Sequence, residues 1–280
     1  MKKIVALLVI FLLPATNACI VRSDISLKVD EAPPIPLENK VTINANLTFS
    51  WGFGAIIPLP VNIYIKAEGV PDWLDVSIYP DTITISPFGL FGGEESKNIQ
   101  VQLYARKETE AYVLNSFTLH AYTNGSFLVK GSEATTNVYV MEDYMDREPY
   151  IQLPSAVNMK VGETKTISIN ITNRCNAPIY LELIHENTTG FSLSYKEKIR
   201  ISPKATEPLP ITIKAEKVGN VKGLLKFIYY PIEDETRKNE VERYLELTSR
   251  AKPGGGGAIA VGLIIVIVGI IVYVIWKKKF

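Results

Sequence analysis

Most of the chain consists of short runs in which hydrophobic and polar residues alternate, separated by Pro, Gly and Asn. A period of two with Val, Ile, Thr, Tyr and Phe at the apolar positions is typical of β-strands that bury one face. The clearest runs are Val41–Ser50, Val61–Ala67, Thr82–Ser86, Asn98–Ala105, Ser116–Tyr122, Thr164–Asn173, Ile179–Ile184, Ile199–Ser202, Ile211–Ala215, Leu224–Tyr230 and Val241–Ser249. Many short strands separated by turns predict an all-β protein of the sandwich or barrel type.

The two halves of this region carry the same features in the same order, which predicts two domains of one fold. Each half has an Ile-Ser-Pro corner, at 85–87 and 201–203, followed by an alternating strand that ends in Ala105 or Ala215. We therefore predict one sandwich domain over 24–146 and a second over 147–250, each of ordinary domain size.

The first residues have the pattern of a secretory signal peptide. Lys2 and Lys3 precede an apolar stretch from Ile4 to Leu13, which is too short to span a bilayer comfortably. We predict a signal peptide over 1–18. Cys19 follows the cleavage site, and its lipidation is an alternative that the residues before it, Thr16 and Asn17, do not favour.

The last residues predict a membrane anchor. The apolar run 258–276 is long enough to span the hydrocarbon core, and the lysines of the tail 277–280 follow it directly. Lysines beside a span remain on the cytoplasmic side, so the N-terminus and both domains are predicted to lie outside the cell. The Gly-rich linker 251–257 is expected to act as a flexible coil. The predicted location is the cell membrane, with one C-terminal span.

Composition and charge exclude several classes of protein. The net charge is +1, and 47% of the residues are hydrophobic, which excludes a disordered tail protein. Without a basic excess, the chain is not expected to bind nucleic acid. Five of the 30 basic residues are lysines of the two end segments, so the external part is mildly acidic.

The sequence contains none of the common catalytic or nucleotide-binding motifs, and we predict no enzyme, no cofactor and no metal centre. His120 and His185 lie in different predicted domains, and the aspartates at 72, 75 and 81 are expected to be turn residues. The acidic stretch 141–150 is interpreted as a solvated linker. A calcium site is the alternative, with these carboxylates as its ligands: Glu142, Asp143, Asp146 and Glu148.

Two modifications are considered for an exported chain. Cys175 is interpreted as a loop thiol, with an intermolecular disulfide as the alternative. Asn-x-Ser/Thr sequences are candidate glycosylation sites, and Asn124 and Asn187 are favoured because they lie in predicted turns. The four candidates are Asn46, Asn124, Asn170 and Asn187.

The second half resembles a known class of module. From Val157 onward, Gly162-Glu163, Asn173, Asn176 and the Pro corner follow the strand–Asn–loop–strand order of immunoglobulin-like modules of the NEW3 and CARDB type. The resemblance implies an immunoglobulin-like fold in both domains, and a prokaryotic, especially archaeal, cell-surface or S-layer-associated protein. It implies no single function, because such modules serve as spacers, adhesion units or appendages of enzymes. The complete prediction is two tandem immunoglobulin-like β-sandwich domains plus a C-terminal transmembrane helix.

The first domain differs from the second by two apolar, Gly-rich insertions, 51–59 and 88–97. Exposed apolar residues often mark contact surfaces, and aromatic side chains dominate the energy of interfaces. One hypothesis is a partner-binding surface, expected at the end of the domain far from the membrane. The alternative is that the loops fold back and cap their own sandwich. The candidate binding residues are Trp51, Phe53, Phe88, Leu90 and Phe91.

These features predict a membrane-anchored extracellular protein with a non-enzymatic binding or structural role. The expected partners are the membrane and an unidentified surface or membrane protein. The alternative is an accessory subunit of a membrane enzyme or transporter, assembled through the predicted helix.

Overall fold

The computed structural model describes residues 21–252. The predicted signal peptide, most of the Gly-rich linker and the predicted span 258–276 lie outside the described residues. No helix long and apolar enough to cross a membrane occurs within 21–252. The chain divides into two compact units between Asp146 and Arg147. They are called unit 1 and unit 2 below.

Unit 1 contains eight strands arranged in two four-stranded sheets. One sheet has the order β1-β2-β6-β4 and the other β5-β3-β7-β8. The strands are β1 (Ser23–Val29), β2 (Lys40–Trp51), β3 (Val61–Glu68), β4 (Leu74–Tyr79), β5 (Thr82–Ile85), β6 (Gly93–Ala105), β7 (Asn115–Gly125) and β8 (Lys130–Val140).

The strand order of unit 1 is that of an immunoglobulin-like sandwich. Without β5, the seven strands taken in chain order as A to G form one A-B-E-D sheet and one C-F-G sheet. The short β5 pairs with the free edge of β3, with Val61 opposite Ile85, and so adds one strand to the C-F-G sheet. The immunoglobulin-like, all-β prediction is confirmed for this unit by the strand order itself.

Alternation along the strands determines which side chains enter the core of unit 1. Every second residue of β2 from Ile43 to Phe49 is buried, and the residues between them face outward. The facing sheet contributes its own buried row, so the two apolar faces close on each other. That row comes from β3 and β7: Val61, Ile63, Ile65, Phe117, Leu119 and Ala121.

Unit 2 repeats this order with one more strand. Its sheets are β13-β15-β11-β9 and β10-β17-β16-β12-β14, and β10 runs parallel to β17. Taken in chain order without β10 and β14, the strands again form the A-B-E-D and C-F-G sheets. The strands are β9 (Tyr150–Gln152), β10 (Ala156–Lys160), β11 (Thr164–Thr172), β12 (Ile179–Glu186), β13 (Phe191–Tyr195), β14 (Lys198–Ile201), β15 (Thr206–Ala215), β16 (Gly219–Pro231) and β17 (Asn239–Arg250).

A buried asparagine organises the loop between β11 and β12. The Asn173 amide donates to the carbonyl oxygens of Ala177 at 2.8 Å and of Ile201 and Ser202 at 3.2 Å. Its Oδ1 accepts the Cys175 N–H at 2.9 Å. Asn173 therefore joins its own loop to the end of β14. A buried amide that satisfies several backbone groups is costly to remove, because those groups lose their partners away from water.

We expect Asn173→Ala to lower the free energy of unfolding of unit 2 by about 2–4 kcal/mol, because buried backbone groups lose their partners. Asn170→Ala is the matched control, since Asn170 is exposed and its amide lies 3.5 Å from the Gln152 side-chain oxygen. Calorimetric unfolding of the full-length protein in detergent compares the two variants. Equal unfolding temperatures for both would contradict the role given to Asn173.

Candidate contact surface at one end of unit 1

Three loops meet at the same end of unit 1. The loop 52–60 joins β2 to β3, the loop 86–92 joins β5 to β6, and the hairpin 126–129 joins β7 to β8. Trp51 pairs with Gly93 and Val61 with Ile85, which brings the first two loops together. The described chain also starts at this end.

The first residues of the described chain join the hairpin to the loop 52–60. The Val21 N–H donates to the Leu128 carbonyl oxygen at 3.0 Å, and the Lys130 N–H donates to the Val21 carbonyl oxygen at 2.9 Å. The carbonyl oxygen of the next residue, Arg22, accepts the Gly52 N–H at 2.9 Å. All three loops therefore belong to one continuous surface.

Seven large apolar side chains of these loops are exposed, and together they are called the apolar end. Phe91 is 88% exposed, Phe127 73%, and Phe53 and Phe88 65% each. Soluble surfaces rarely concentrate so many projecting apolar side chains, so such a patch marks a contact. The seven residues are Phe53, Ile56, Ile57, Phe88, Leu90, Phe91 and Phe127.

Backbone hydrogen bonds hold the two longer loops against each other. The Gly54 N–H donates to the Leu90 carbonyl oxygen at 3.0 Å, and the Gly89 N–H donates to the Ala55 carbonyl oxygen at 2.8 Å. The Phe53 and Phe91 rings lie with their centroids 6.4 Å apart. The exposed side chains are therefore presented on a cross-linked pair of loops.

Trp51 supports the apolar end and is not one of its exposed members. Its half-buried indole lies over Gly93, where a Cβ would come within 2.7 Å of the Trp51 Cζ2 atom. Phe49 lies beneath, with its ring centroid 6.2 Å from that of Trp51. Ala55 and Pro87 of the same loops are buried as well. The loops thus cap the sandwich with one set of residues and expose another.

The sequence-predicted residues Phe53, Phe88, Leu90 and Phe91 are brought together here. The predicted insertion 88–97 is too long, because Gly93–Lys97 form the start of β6 and pair with β2. Three members of the apolar end, Ile56, Ile57 and Phe127, are not among the predicted binding residues. The signal for Phe127 is its position two residues after Asn124-Gly125, in the hairpin 126–129, where an aromatic residue has no core to enter.

The three loops contain no charged residue. The only polar side chains in 52–60, 86–92 and 126–129 are the hydroxyls of Ser86 and Ser126. Charges begin at the base of the loops, with Arg22, Glu94 and Lys130. The apolar end is therefore suited to contact without ion pairs.

The two histidines of the described chain belong to surface polar clusters, one in each unit. His120 lies between Glu68 and Glu133, its ring nitrogens 3.3 and 3.1 Å from their carboxylate oxygens. Hydrogen bonds, first with Lys66 and then with His120, lower the pKa of Glu68. In unit 2, His185 Nδ1 lies 2.7 Å from the Tyr195 hydroxyl, and burial is the main cause of the raised pKa of Tyr195.

A third polar cluster lies on the outer face of unit 2. Lys198 donates to the Tyr230 hydroxyl at 2.6 Å, and Tyr230 donates to Glu182 at 2.6 Å. The hydrogen bond with Tyr230 is the main cause of the raised pKa of Lys198 and the lowered pKa of Glu182, and burial raises the pKa of Tyr230. These three pKa changes all favour a charged Lys198 and a charged Glu182 joined by the neutral Tyr230 hydroxyl.

Unit 1 also contains a cleft and an exposed ion pair. A cleft of about 440 Å³ in unit 1 is lined by Asp30, Glu31 and neutral residues such as Leu114 and Tyr139. Asp75 pairs with Arg106 at 3.4 Å. Within residues 21–252, no group of three or more His, Cys, Asp or Glu side chains is arranged to hold a metal ion.

Glu142 belongs to the alternative of a calcium site, and Cys175 to the alternative of an intermolecular disulfide. Glu142 is buried, and its carboxylate accepts the Thr109 N–H. Cys175 is buried, and its thiol lies 3.1 Å from the Arg147 carbonyl oxygen. Burial of this thiol disfavours an intermolecular disulfide at Cys175.

All four candidate glycosylation asparagines are exposed. Asn46 and Asn170 lie within β2 and β11, where their amides face Asn98 and Gln152 on neighbouring strands. Asn124 lies at the end of β7, and Asn187 lies in the β12–β13 loop with a positive φ of 56°. These last two positions therefore remain the favoured acceptors.

Comparisons with known proteins give low similarity throughout. No protein-family model and no curated protein matches the sequence. Among solved structures, PapD-like domain 7 of human CEP192 has 12% identity and a TM-score of 0.33, covering 39% of this chain and 92% of that one. A Porphyromonas gingivalis protein of unknown function has 12% identity and a TM-score of 0.33, covering 79% and 99%. Scores this low carry no argument about function.

We expect Gly92→Ala to destabilise unit 1 by about 1–3 kcal/mol, because Gly92 has a φ of +91° and an added Cβ would meet the Trp51 carbonyl oxygen. Gly219→Ala is the control, since a Cβ at Gly219 meets nothing within 4 Å. Tryptophan fluorescence follows the unfolding of unit 1 through Trp51 and Trp73, and circular dichroism follows the unfolding of both units together. An unchanged unfolding temperature in Gly92→Ala would contradict the close approach of Gly92 to the Trp51 backbone.

Proposed function

We propose that this protein is a non-enzymatic, membrane-anchored surface protein that presents two immunoglobulin-like units outside the cell. In this proposal, unit 1 contacts the cell envelope through the apolar end. The single observation that carries the proposal is the group of seven exposed apolar side chains on three charge-free loops. The predicted signal peptide and the predicted span 258–276 support the external, anchored location.

A binding role accounts for the loops better than a purely structural spacer does. A spacer needs only a closed sandwich, and Trp51, Ala55 and Pro87 already close this end. Exposed phenylalanines add nothing to that closure, and they carry a risk of aggregation. Their presence on cross-linked loops is explained if something covers them in the native membrane.

The proposal predicts that Leu90→Cys is shielded in intact cells. In a background without Cys19, a membrane-impermeant maleimide should label Leu90→Cys several times more slowly in cells than in the purified protein. Leu114→Cys is the matched control, because Leu114 is 59% exposed and Leu90 47%. Leu114 lies directly before β7 of unit 1, away from the three loops, and should be labelled equally in both states.

Each result of the labelling experiment decides one part of the proposal. Equal labelling of Leu90→Cys in cells and in purified protein would show that nothing covers the apolar end. If Leu114→Cys is labelled in lysed cells and not in intact cells, the external location is contradicted. Buried Cys175 contributes a low, constant background that the parent protein measures.

Export predicts glycans on Asn187, in a loop, and on Asn124, at the end of β7. We expect the intact mass of protein from native membranes to exceed the mass of the polypeptide, and Asn187→Gln or Asn124→Gln to remove part of the excess. Asn44→Gln is the control, because Asn44 is an exposed strand asparagine without a Ser or Thr two residues later. A mass equal to that of the polypeptide alone would reject glycosylation.

A further inference from the structure

We infer that the apolar end of unit 1 inserts into lipid, and that this lipid belongs to the membrane in which the protein is anchored. The inference rests on the proposed function, because it names what covers the seven side chains. It goes beyond that proposal by choosing a bilayer over a protein partner. The chemistry of the side chains favours lipid, and the partly satisfied backbone of the loops and the charges at their base set how deeply they insert.

The exposed side chains are those that lipid accepts without any hydrogen bond. Four are Phe and three are Leu or Ile, and none carries a hydroxyl, amide or charge. Protein interfaces are also enriched in Phe, with Tyr, Trp and Arg, but they form about one hydrogen bond per 100–200 Å². The apolar end offers a partner protein almost no side-chain hydrogen bond, whereas hydrocarbon requires none.

Part of the loop backbone is satisfied from within unit 1. Backbone groups without a partner are costly in hydrocarbon, so the exposed side chains enter it while the loop backbone remains at the level of the headgroups. Prolines at 58, 60 and 87 remove three N–H groups altogether. Further loop N–H groups donate to carbonyl oxygens of unit 1, namely those of Gly52, Gly54, Ile56, Leu59, Gly89, Gly92 and Ser126.

Charges at the base of the loops limit the depth of insertion. The Arg22 carbonyl oxygen accepts a hydrogen bond from Gly52, Lys130 follows the hairpin, and Glu94 is the second residue of β6 and pairs with Ser50. Charged residues remain at the level of the headgroups while apolar side chains enter the acyl boundary. Because both signs are present, binding should depend little on anionic lipid or on salt.

The membrane that holds the predicted span is a lipid surface to which the chain is already attached. The sequence hypothesis places this end of unit 1 far from the membrane. The predicted span 258–276 holds the protein at one bilayer, and the Gly-rich linker 251–257 would let the external part tilt until the apolar end meets that bilayer. A few shallow side chains bind lipid weakly from solution. The effective concentration created by an anchor makes such weak contacts sufficient.

The test uses a tryptophan placed at the apolar end. Full-length Phe127→Trp protein is reconstituted into liposomes of zwitterionic lipid with bromine on the acyl chains, which quenches nearby indoles. Tyr139→Trp is the matched control, because Tyr139 is an exposed aromatic residue near the end of β8. The fluorescence of the parent protein is subtracted, which removes the contributions of Trp51, Trp73 and Trp276.

We expect strong bromolipid quenching of the tryptophan at 127 and none at 139. Adding Phe53→Ser and Phe91→Ser to Phe127→Trp should reduce the quenching without lowering the unfolding temperature, since both side chains are exposed. High salt should leave the quenching unchanged. Strong dependence on salt or on anionic lipid would contradict insertion by apolar side chains.

Other occupants give different results, and each overturns the inference. Shielding of Leu90→Cys in cells, without quenching in pure lipid, assigns the apolar end to a protein partner and leaves the proposed function standing. Shielding of Leu90→Cys in the detergent-purified protein that disappears when the protein is diluted assigns the apolar end to a second copy of this chain. Quenching that requires added acceptor vesicles assigns it to an opposing membrane. Absence of both shielding and quenching removes the proposed function as well.

Discussion

The contact between the Trp51 indole and Gly93 determines how the loops of unit 1 meet. Trp51 continues the inward-facing row of β2, beyond Phe49, at the point where the sandwich ends. Its ring needs an opposite residue without a side chain, and Gly93 provides one. This contact fixes the start of β6, and with it the loop 86–92, against the loop 52–60.

The same loops consequently serve two purposes. Residues that point inward, such as Ala55, replace the missing end of the sandwich and close the core. Residues that point outward have no core left to enter, so Phe53 and Phe91 project into solvent. The sequence hypotheses of a cap and of a contact surface are therefore not exclusive, because they apply to different side chains of one segment.

Strands with one buried face could be predicted from the sequence, because their alternation is a direct consequence of burial. The start of β6 could not be predicted in this way, because it lacks that alternation. Glu95 and Lys97 lie on the same face as Phe49 and Leu47, at an edge that β4 does not reach, and there they pair with each other. Charged residues at such positions hide the strand pattern.

The candidate site was predictable in part for a related reason. Comparison of the two halves located the insertions, because extra apolar residues stand out against a repeat. It gave no means of separating Trp51, which packs over Gly93, from the exposed Phe53 two residues later. Nor could it bring Phe127 to the same surface, because that placement depends on the pairing of β7 with β3 and of Val21 with Val129.

The central claim is that the apolar end is free surface and not part of the core of unit 1. The unfolding temperature of the full-length variant with Phe53→Ser, Phe88→Ser and Phe91→Ser tests it most directly. Because these side chains are exposed, we expect an unfolding temperature equal to that of the parent protein. Loss of three buried phenylalanines would instead cost several kcal/mol, so a decrease of about 10 °C or more would contradict the account.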